Sequence, residues 1–390
     1  MVAGHLTEKK GLYYIVLQYT TWEGVYKHKW IPTKLHVKGN KKRAEEMLME
    51  ARRNFVPETA PVEKDMLFAD FLEKWLEINK PAVQLSTYSS YSHMVKHVVG
   101  PYFRKKKITL SGLKPMDIQN YYMQELKRVK ASSILHYHVV IYKALKYAFK
   151  TDLIPSNPAD KIERPRKERF IGSFYDSEEM DKLFDAVKGT GLELPVFLGA
   201  FYGLRRSEIL GLKWDAIDFT RNTLTIQHTV VECNIDGKQI FVQSDSTKTK
   251  SSMRTLPLVP QFREKLLAVK QQQEENQKLC GKSYCKDYMG YVCVNEMSNL
   301  TKPSYITDTF QKILKRNSLR KIRFHDLRHT CASLLLANGI SMKQIQIWLG
   351  HSTFATTADI YSHLDFSAQI ESGEVMDGMY DRHDKAAANA

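Results

Sequence analysis

The sequence has few cysteines, no long apolar run and no excess of acidic residues, and each of these features excludes a class of protein. The five cysteines form no C-x-x-C pair, which argues against a zinc ribbon, and their odd number favours reduced thiols. The longest uncharged apolar run, Leu194 to Leu204, has 11 residues, whereas a bilayer span needs about 20. No apolar run follows Met1, so we expect no secretory signal and a globular cytoplasmic protein without a membrane partner.

Basic residues are abundant, especially near the N-terminus. Lys and Arg total 58 against 43 Asp and Glu, a formal charge of +15. The first 57 residues hold 11 basic and 5 acidic residues, and Trp22, Tyr26 and Trp30 stand among the lysines. This pattern favours a polyanionic partner, and we expect the segment to bind DNA. Alternatively, the segment is a solvated basic appendage whose aromatic residues form its core.

Residues 1–57 are predicted to form a small sheet covered by a helix. β-prone runs at Tyr13 to Leu17 and Lys29 to Ile31, with a turn at Glu23-Gly24, predict a hairpin. Beyond Gly39-Asn40, apolar residues recur at helical spacing and share one face: Ala44, Met47, Leu48 and Ala51.

Residues 64–157 are predicted to form a helical bundle. A first helix is indicated by the spacing of Phe68, Phe71, Leu72 and Trp75. Further helices are expected from Thr87, from Pro115 and from Ser132, the last with one apolar face: Ile134, Ile141, Leu145 and Ala148. Arg104 to Lys107 is expected in a loop between helices, either solvated or against phosphate. An extended basic linker follows, from Pro155 to Arg169.

Residues 168–390 form a third region that we expect to be mainly helical with a small sheet. Capping boxes predict helix starts at Asp176 with Glu179 and at Ser341 with Gln344, the latter helix ending at Gly350. Strands are expected at Thr223 to Ile226, Ile240 to Val242 and Arg254 to Pro257, with a turn at Asp236-Gly237. A helix beginning near His325 has four apolar residues at helical spacing: Leu327, Cys331, Leu334 and Leu335. Cys331 is therefore expected to fill the core.

The third region also carries cationic and proton-transferring side chains in five short motifs spread over about 160 residues. They are Gly203-Leu204-Arg205-Arg206-Ser207-Glu208, Thr247-Lys248-Thr249-Lys250, His325-Asp326-Leu327-Arg328-His329, Leu349-Gly350-His351 and Asp359-Ile360-Tyr361. Each motif alone has an ordinary explanation, such as a surface ion pair between Arg205 and Glu208. Together they supply a nucleophile, a base, an acid and cationic charge, which phosphodiester cleavage through a covalent intermediate requires.

The order and spacing of these motifs resemble the tyrosine recombinases of the phage-integrase family, particularly integrases of conjugative transposons and prophages. The resemblance implies six catalytic residues: Arg205, Lys248, His325, Arg328, His351 and Tyr361. Arg206 is the alternative to Arg205, and Lys250 is the alternative to Lys248.

Each of these residue types suits one part of the reaction. The guanidiniums of Arg205 and Arg328 present paired donors to the non-bridging phosphate oxygens. A tyrosine phenol with a pKa near ~10 needs a base, for which His325 is suited, and Lys248 is suited to protonate the departing 5′ oxygen. His351 donates to a phosphate oxygen.

The resemblance also implies a multidomain fold, mainly α with small β-sheets, in three parts. Residues 1–57 would read an arm-type site, while residues 64–157 and the catalytic domain 168–390 would hold a core-type site on double-stranded DNA. A homotetramer would pass through a Holliday junction, with accessory DNA-bending or directionality factors as further partners, in a bacterial cytoplasm and associated with the nucleoid. The segment after Tyr361 would either dock onto a neighbouring protomer or form a disordered end.

We expect neither a metal nor another cofactor. His325 and His329 are spaced as in a zinc motif, but Asp326 and Leu327 stand where H-E-x-x-H needs its glutamate. Two other functions stay open: relaxation of DNA by a type IB topoisomerase that uses the same residues, and DNA binding by a regulator without catalysis.

Overall fold

The computed structural model describes residues 3–20, 25–55, 65–167, 173–245 and 253–352. The chain divides into two compact units: Met1–Glu77 with Met94–Arg164, and Ile78–His93 with Pro165–Ala390. The division into domains 1–57, 64–157 and 168–390 stays a prediction. Across the part of the chain that the structure describes, no helix is both long and apolar enough to span a membrane.

The first unit begins with an antiparallel sheet in the order β1-β2-β3, formed by β1 (Ala3–Lys9), β2 (Leu12–Thr20) and β3 (Tyr26–His36). The predicted hairpin is confirmed, because β2 pairs with β3 and Ile15 lies opposite Ile31. The predicted turn at Glu23-Gly24 lies outside the described residues. Strand β1 was not predicted, because its sequence is polar and has little β-branched or aromatic content.

One face of this sheet is covered by α1 (Lys41–Asn54). The predicted apolar face of α1 is confirmed: Ala44 is buried, and Met47, Leu48 and Ala51 are partly buried. The helix approaches closely, since a Cβ on Gly4 would lie 2.8 Å from Leu17 Cδ2 and 3.3 Å from Leu48 Cδ1. A small core therefore lies between α1 and the sheet.

A helical segment follows, and most of it belongs to the first unit. It contains α2 (Phe68–Asn79), α3 (Leu85–Met94), a π-helix (Val95–Val99), α4 (Gly100–Lys106), α5 (Pro115–Glu125) and α6 (Ala131–Lys150). Both predicted apolar faces are confirmed, because the following residues are buried: Phe68, Phe71, Leu72, Trp75, Ile134, Ile141, Leu145 and Ala148.

Two expectations for this segment were wrong. Arg104 lies in the last turn of α4 rather than in a loop, and its guanidinium contacts Asp70 at 2.7 Å and Glu73 at 3.0 Å. Basic residues favour a helix C-terminus because they oppose the negative end of its dipole. The linker after Pro155 is not fully extended, since a 3₁₀ turn (Pro158–Lys161) interrupts it, and its last residues lie outside the described part of the chain.

The second unit contains seven further helices among the described residues: α7 (Ser177–Val187), α8 (Glu193–Phe201), α9 (Arg206–Gly211), α10 (Pro260–Cys280), α11 (Pro303–Arg316), α12 (Asp326–Ala337) and α13 (Met342–Leu349). Both capping boxes are confirmed. The Asp176 carboxylate accepts from the backbone N–H of Glu179 at 2.8 Å, and the Ser341 hydroxyl accepts from the backbone N–H of Gln344 at 3.4 Å. Gly350 ends α13 with φ +68°, as expected.

The strands of this unit form two sheets rather than one. The first has the order β4 (Ile217–Asp218), β5 (Thr223–Ile226) and β8 (Arg254–Pro257). The second is a hairpin of β6 (Thr229–Ile235) and β7 (Lys238–Ser244), closed by the predicted turn at Asp236-Gly237. The turn therefore joins β6 to β7, and neither of these strands pairs with β5 or β8.

Most of the longest apolar run forms the largely buried helix α8, and Gly203 sets the direction of the chain after this helix. Gly203 has φ +60°, a conformation that L side chains avoid. A Cβ there would lie 2.2 Å from Leu349 Cδ2 and 3.4 Å from Cys331 Sγ. Cys331 is buried, as predicted, and burial raises the pKa of its thiol to about 12. Gly203 thus allows α12 and α13 to pack against the turn between α8 and α9.

We expect Gly203→Ala to destabilise the second unit more than Gly189→Ala. Both glycines have positive φ, at +60° and +71°, but a Cβ on Gly189 would meet nothing within 4 Å. The difference isolates the clash with Leu349, for which overpacking typically costs about 1 to 3 kcal/mol. Urea unfolding of both variants measures it, and equal losses of stability would contradict the close packing at Gly203.

Candidate active site

Arg205 and Glu208 form the first part of the site, at the start of α9. Arg205 Nη1 lies 2.6 Å from Glu208 Oε1, and the Arg205 amide donates to Glu208 Oε2 at 3.0 Å. The Glu208 side chain is 2% exposed, whereas that of Arg205 is 34% exposed. The explanation of this motif as a surface ion pair is therefore wrong. The buried Glu208 carboxylate therefore holds the Arg205 guanidinium, one side of which stays exposed.

The neighbouring arginine points elsewhere. Arg206 Nη1 donates to Thr307 Oγ1 at 2.6 Å and to the Pro303 carbonyl at 3.3 Å, both on α11. These contacts hold Arg206 against α11, and Arg205 is the residue of this pair whose charge acts on Arg328 and His351.

Arg328 lies in the first turn of α12, where the predicted helix register places it. Its side chain is buried: Nη1 donates to the Gly203 carbonyl at 2.5 Å, and Nη2 donates to the Leu349 carbonyl at 2.6 Å. Its Nε donates to His351 Nε2 at 3.3 Å. Burial and the nearby Arg205 lower the pKa of Arg328 to about 9, which leaves the guanidinium charged at neutral pH.

The two predicted histidines flank Arg328 and are neutral at pH 7. Loss of hydration beside the protein core lowers the pKa of His325, and the adjacent His329 and Arg328 lower it further, although the residue as a whole is exposed. Burial, Arg328 and Arg205 lower the pKa of His351 to about 3. Because His351 Nε2 accepts from Arg328, the proton of its neutral ring is on Nδ1. His325 is thus able to accept a proton, and His351 is able to donate one hydrogen bond.

A third arginine, Arg254, joins the site and was not predicted. Its Nε donates to the Trp348 carbonyl at 2.8 Å, and its Nη2 lies 3.0 Å from Glu208 Oε2. Its side chain is 5% exposed. Arg254 and Leu256 both point inward from β8, and an arginine at the inward position of a strand is the sequence feature that could have identified it.

These three arginines bind the last carbonyls of one helix. Trp348, Leu349 and Gly350 close α13, and their carbonyls accept from Arg254, Arg328 and Arg205 at 2.8, 2.6 and 3.4 Å. We call Arg205, Arg254 and Arg328 the arginine cap. The C-terminal carbonyls of a helix lack partners within the helix and favour cations.

The charge of the arginine cap is only partly neutralised by Glu208. Burial alone would raise the pKa of Glu208, but Arg254 and Arg205 more than offset this effect and hold it below its usual value. Glu208 is therefore ionised, and these four side chains carry a net formal charge of +2. Such a cluster, with Arg205 partly exposed, is suited to bind a phosphate group.

The remaining predicted residues, Lys248, its alternative Lys250 and Tyr361, lie outside the described residues. The structure therefore brings together Arg205, His325, Arg328 and His351 of the six. Within the described ranges, no group of three His, Cys, Asp or Glu side chains is arranged to hold a metal ion.

We expect His351 to make the stability of the second unit acid-sensitive. Its pKa falls from about 6.5 in the unfolded chain to about 3 when folded, so its contribution is complete above pH ~6.5 and decreases as the pH falls. The slope is at most about 1.4 kcal/mol per pH unit. Urea unfolding between pH ~6.5 and ~4.5 should therefore be less pH-dependent for His351→Gln than for the wild type.

The matched control is His136→Gln, at an exposed position of α6 in the first unit, which should keep the wild-type slope. Equal slopes for His351→Gln and the wild type would contradict a buried, neutral His351.

Two family profiles match the sequence. Residues 174–368 match the Phage integrase family, and residues 67–127 match the phage integrase N-terminal SAM-like domain. The first match contains the whole arginine cap and the positions of Lys248 and Tyr361.

Relatives and solved structures align along most of the chain. A tyrosine recombinase XerC-like protein of Caldanaerobacter subterraneus is 28% identical over 337 residues, 81% of this chain and 84% of the relative. The Tn1549 transposon integrase in complex with a circular intermediate DNA has a TM-score of 0.64 at 16% identity, covering 80% of this chain and 99% of its own. A lambda integrase tetramer bound to a Holliday junction has a TM-score of 0.53 at 16% identity, covering 89% and 95%.

At 16% identity, the two solved structures show a shared fold, which agrees with the predicted multidomain, mainly helical architecture with small sheets. The sequence evidence goes further, because the Phage integrase profile extends over half of the residues and includes the motifs that form the arginine cap. The chain belongs to the phage integrase family of tyrosine recombinases.

Proposed function

We propose that the protein is a site-specific DNA recombinase that inserts and excises a mobile element. It cuts one strand to leave a 3′-phosphotyrosyl bond and a free 5′-hydroxyl, and it rejoins strands from two sites through a Holliday junction. The observation that carries this proposal is the arginine cap, which gathers three guanidiniums from distant segments around one helix end. Family membership and the XerC-like tyrosine recombinase relative support the same reaction.

The arginine cap is suited to hold the scissile phosphate. Negative charge accumulates on the non-bridging oxygens in the five-coordinate transition state, and donors that are already in place stabilise it without reorganisation. Arg205 offers its open side, and Arg328 lies behind it with His351 against its Nε. In this role His351 donates from Nδ1 to a phosphate oxygen.

Proton transfer completes the reaction. Neutral His325, one turn from Arg328, is the base that takes the phenolic proton of Tyr361 as its oxygen attacks phosphorus. Lys248 gives a proton to the departing 5′ oxygen, with Lys250 as its alternative. Because the phosphotyrosyl ester conserves the energy of the broken bond, the reverse attack by a 5′-hydroxyl needs neither ATP nor a metal.

We infer that the active assembly on DNA is a homotetramer. The lambda integrase tetramer bound to a Holliday junction supports this inference, since its fold covers most of this chain. Accessory DNA-bending or directionality factors would act as further partners on the same DNA, and we place the reaction in the bacterial cytoplasm.

We expect a nicked suicide substrate, with its core-type site selected from random duplexes, to trap a covalent protein–DNA adduct that Tyr361→Phe does not form. Arg205→Lys should lower the adduct rate about 10² to 10³-fold, because a point charge cannot replace the paired donors. Arg206→Lys is the matched control and should react within about threefold of the wild type, since Arg206 contacts α11 instead.

The same substrate distinguishes the two lysines. A 5′-bridging sulfur leaves without a proton, so it should restore cleavage by the variant that lacks the acid, whether Lys248→Ala or Lys250→Ala. No adduct from the wild type would indicate a DNA-binding regulator. An adduct from a protein that relaxes supercoiled DNA but joins no strands between two sites would indicate a topoisomerase.

The N-terminal sheet supports a second, arm-type DNA contact. Leu17 lies on the side of the sheet that meets Leu48 of α1, so the alternate residues Gln18, His28 and Trp30 lie on the opposite face, where Val16 is covered. Trp30 and Tyr26 are 51% and 59% exposed, so the alternative in which they form the core is wrong; Trp22 lies outside the described residues.

This open face combines aromatic, polar and basic groups. The Tyr14 and Trp30 rings meet edge to face at 6.4 Å, and Lys9 Nζ lies 5.8 Å from the Trp30 ring centre. The Tyr26 hydroxyl donates to Gln18 Oε1 at 3.0 Å. Sheets read base edges in DNA grooves with such side chains, while lysines position the backbone.

We expect Trp30→Ala to weaken binding to arm-type DNA roughly tenfold, the size of one lost base-edge contact. Cleavage of the core-type suicide substrate should not change. Met49→Ala, on the exposed side of α1, is the control and should bind like the wild type. Fluorescence anisotropy with duplexes selected by the full chain measures both, and unchanged binding by Trp30→Ala would argue against this face.

A further inference from the structure

Arg254 differs from Arg205, the partly exposed member of the arginine cap, because its side chain is buried away from the open side of the site. Its side chain is 5% exposed, compared with 34% for Arg205. Its Nη atoms face Glu208 and its Nε faces the Trp348 carbonyl, so all three nitrogens are directed at protein groups. It is nevertheless charged and buried, a costly arrangement that needs specific partners.

The partners of Arg254 belong to two separate parts of the site. Its Nη1 and Nη2 lie 3.5 and 3.0 Å from the two oxygens of Glu208, the carboxylate that also binds Arg205. Its Nε donates to the Trp348 carbonyl, three residues before His351. Arg254 thus joins the start of α9 to the end of α13.

We propose that Arg254 is a positioning residue for strand cleavage: through Glu208 it fixes Arg205, and through the Trp348 carbonyl it fixes the turn that carries His351. This proposal rests on the recombinase function proposed above. It assigns to Arg254 an effect on the rate of cleavage and not on DNA affinity, because its donors are directed at protein groups.

The geometry requires a guanidinium. A planar fork can bind both oxygens of Glu208 with its Nη atoms while its Nε points to a carbonyl on the other side. The single ammonium of a lysine cannot span both partners. Without Arg254, Glu208 would have one arginine partner fewer, and its carboxylate could rotate and move Arg205 with it. A misplacement of about 1 Å in an active site can cost about 10²-fold in rate.

A double-mutant cycle with the full-length chain tests this proposal. On a saturating suicide substrate, Arg254→Lys should lower the single-turnover rate of adduct formation about 10- to 100-fold and change the DNA Kd less than about threefold. Because part of the effect of Arg254 acts through Arg205, the double variant Arg205→Lys/Arg254→Lys should lose less rate than the product of the two single losses.

Arg320→Lys is the matched control. Arg320 also binds a carboxylate, that of Glu179, and a backbone carbonyl, but it shares none of these partners with Arg205. It should leave the rate of adduct formation within about threefold of the wild type.

The outcomes separate this proposal from the proposed function. No adduct from the wild type would reject the recombinase function, and the role of Arg254 with it. A wild-type adduct combined with a normal rate for Arg254→Lys, or with losses that multiply in the double variant, would reject the role of Arg254 alone. If Arg254 had only a structural role, Arg254→Lys would lower stability, but its loss of rate would not depend on whether Arg205 is present.

Should Arg254→Lys fail to fold, Glu208→Gln takes its place in the cycle. It keeps the volume and one acceptor oxygen but removes the charge that holds both arginines. Loss of rate that is non-additive with Arg205→Lys would support the proposal, and a normal rate would overturn it.

Discussion

The active-site architecture depends on one helix end. The carbonyls of Trp348, Leu349 and Gly350 each accept from a different arginine, and the three arginines come from the N-cap of α9, from β8 and from α12. A helix of eight residues ends with carbonyls that have no partner inside the helix, so the arginines satisfy groups that would otherwise be buried without one. In return, the negative end of the helix offsets part of the repulsion among three cations. The site and the helix therefore stabilise each other.

That arrangement depends on close packing beneath it. Gly203 ends the buried helix α8, and its carbonyl accepts from Arg328. Because Gly203 has no Cβ, the Leu349 side chain can occupy the space that a methyl group on residue 203 would fill. The end of α13 therefore comes within reach of Arg205. The glycine that the motif places before Leu204-Arg205 is thus a packing requirement, and the arginine is placed by the core and not by the surface.

The sequence predicted those features of the site that depend on neighbours within one helical turn. The Ser341–Gln344 capping box, the helix register that places Arg328 one turn after His325, and the glycine end of α13 were all confirmed, because each is decided by residues three or four positions apart. The contacts of the arginine cap join residues far apart in the chain: 94 positions from Arg254 to Trp348 and 125 from Arg328 to Gly203. No local pattern indicates such partners.

The errors elsewhere have the same origin. A polar strand such as β1 is stabilised by pairing with β2, and pairing leaves little trace in a single segment. The charge of the basic residues after Phe103 predicts a loop. In the structure, Arg104 instead binds two carboxylates of α2, more than 30 positions earlier. Only the resemblance of the five motifs to a known family supplied long-range information, and it supplied it for the candidate catalytic residues but not for Arg254.

The donor geometry of Arg205 and Arg328 predicts that lysine cannot replace either residue. Each guanidinium has five N–H donors in one plane. Among the described residues, Arg328 uses one donor each on His351, Gly203 and Leu349, and Arg205 uses one each on Glu208 and Gly350. Donors therefore remain on both residues after the protein has fixed their positions. A lysine would have to choose between the helix carbonyl and the phosphate, whereas an arginine can be held by one edge and bind with another.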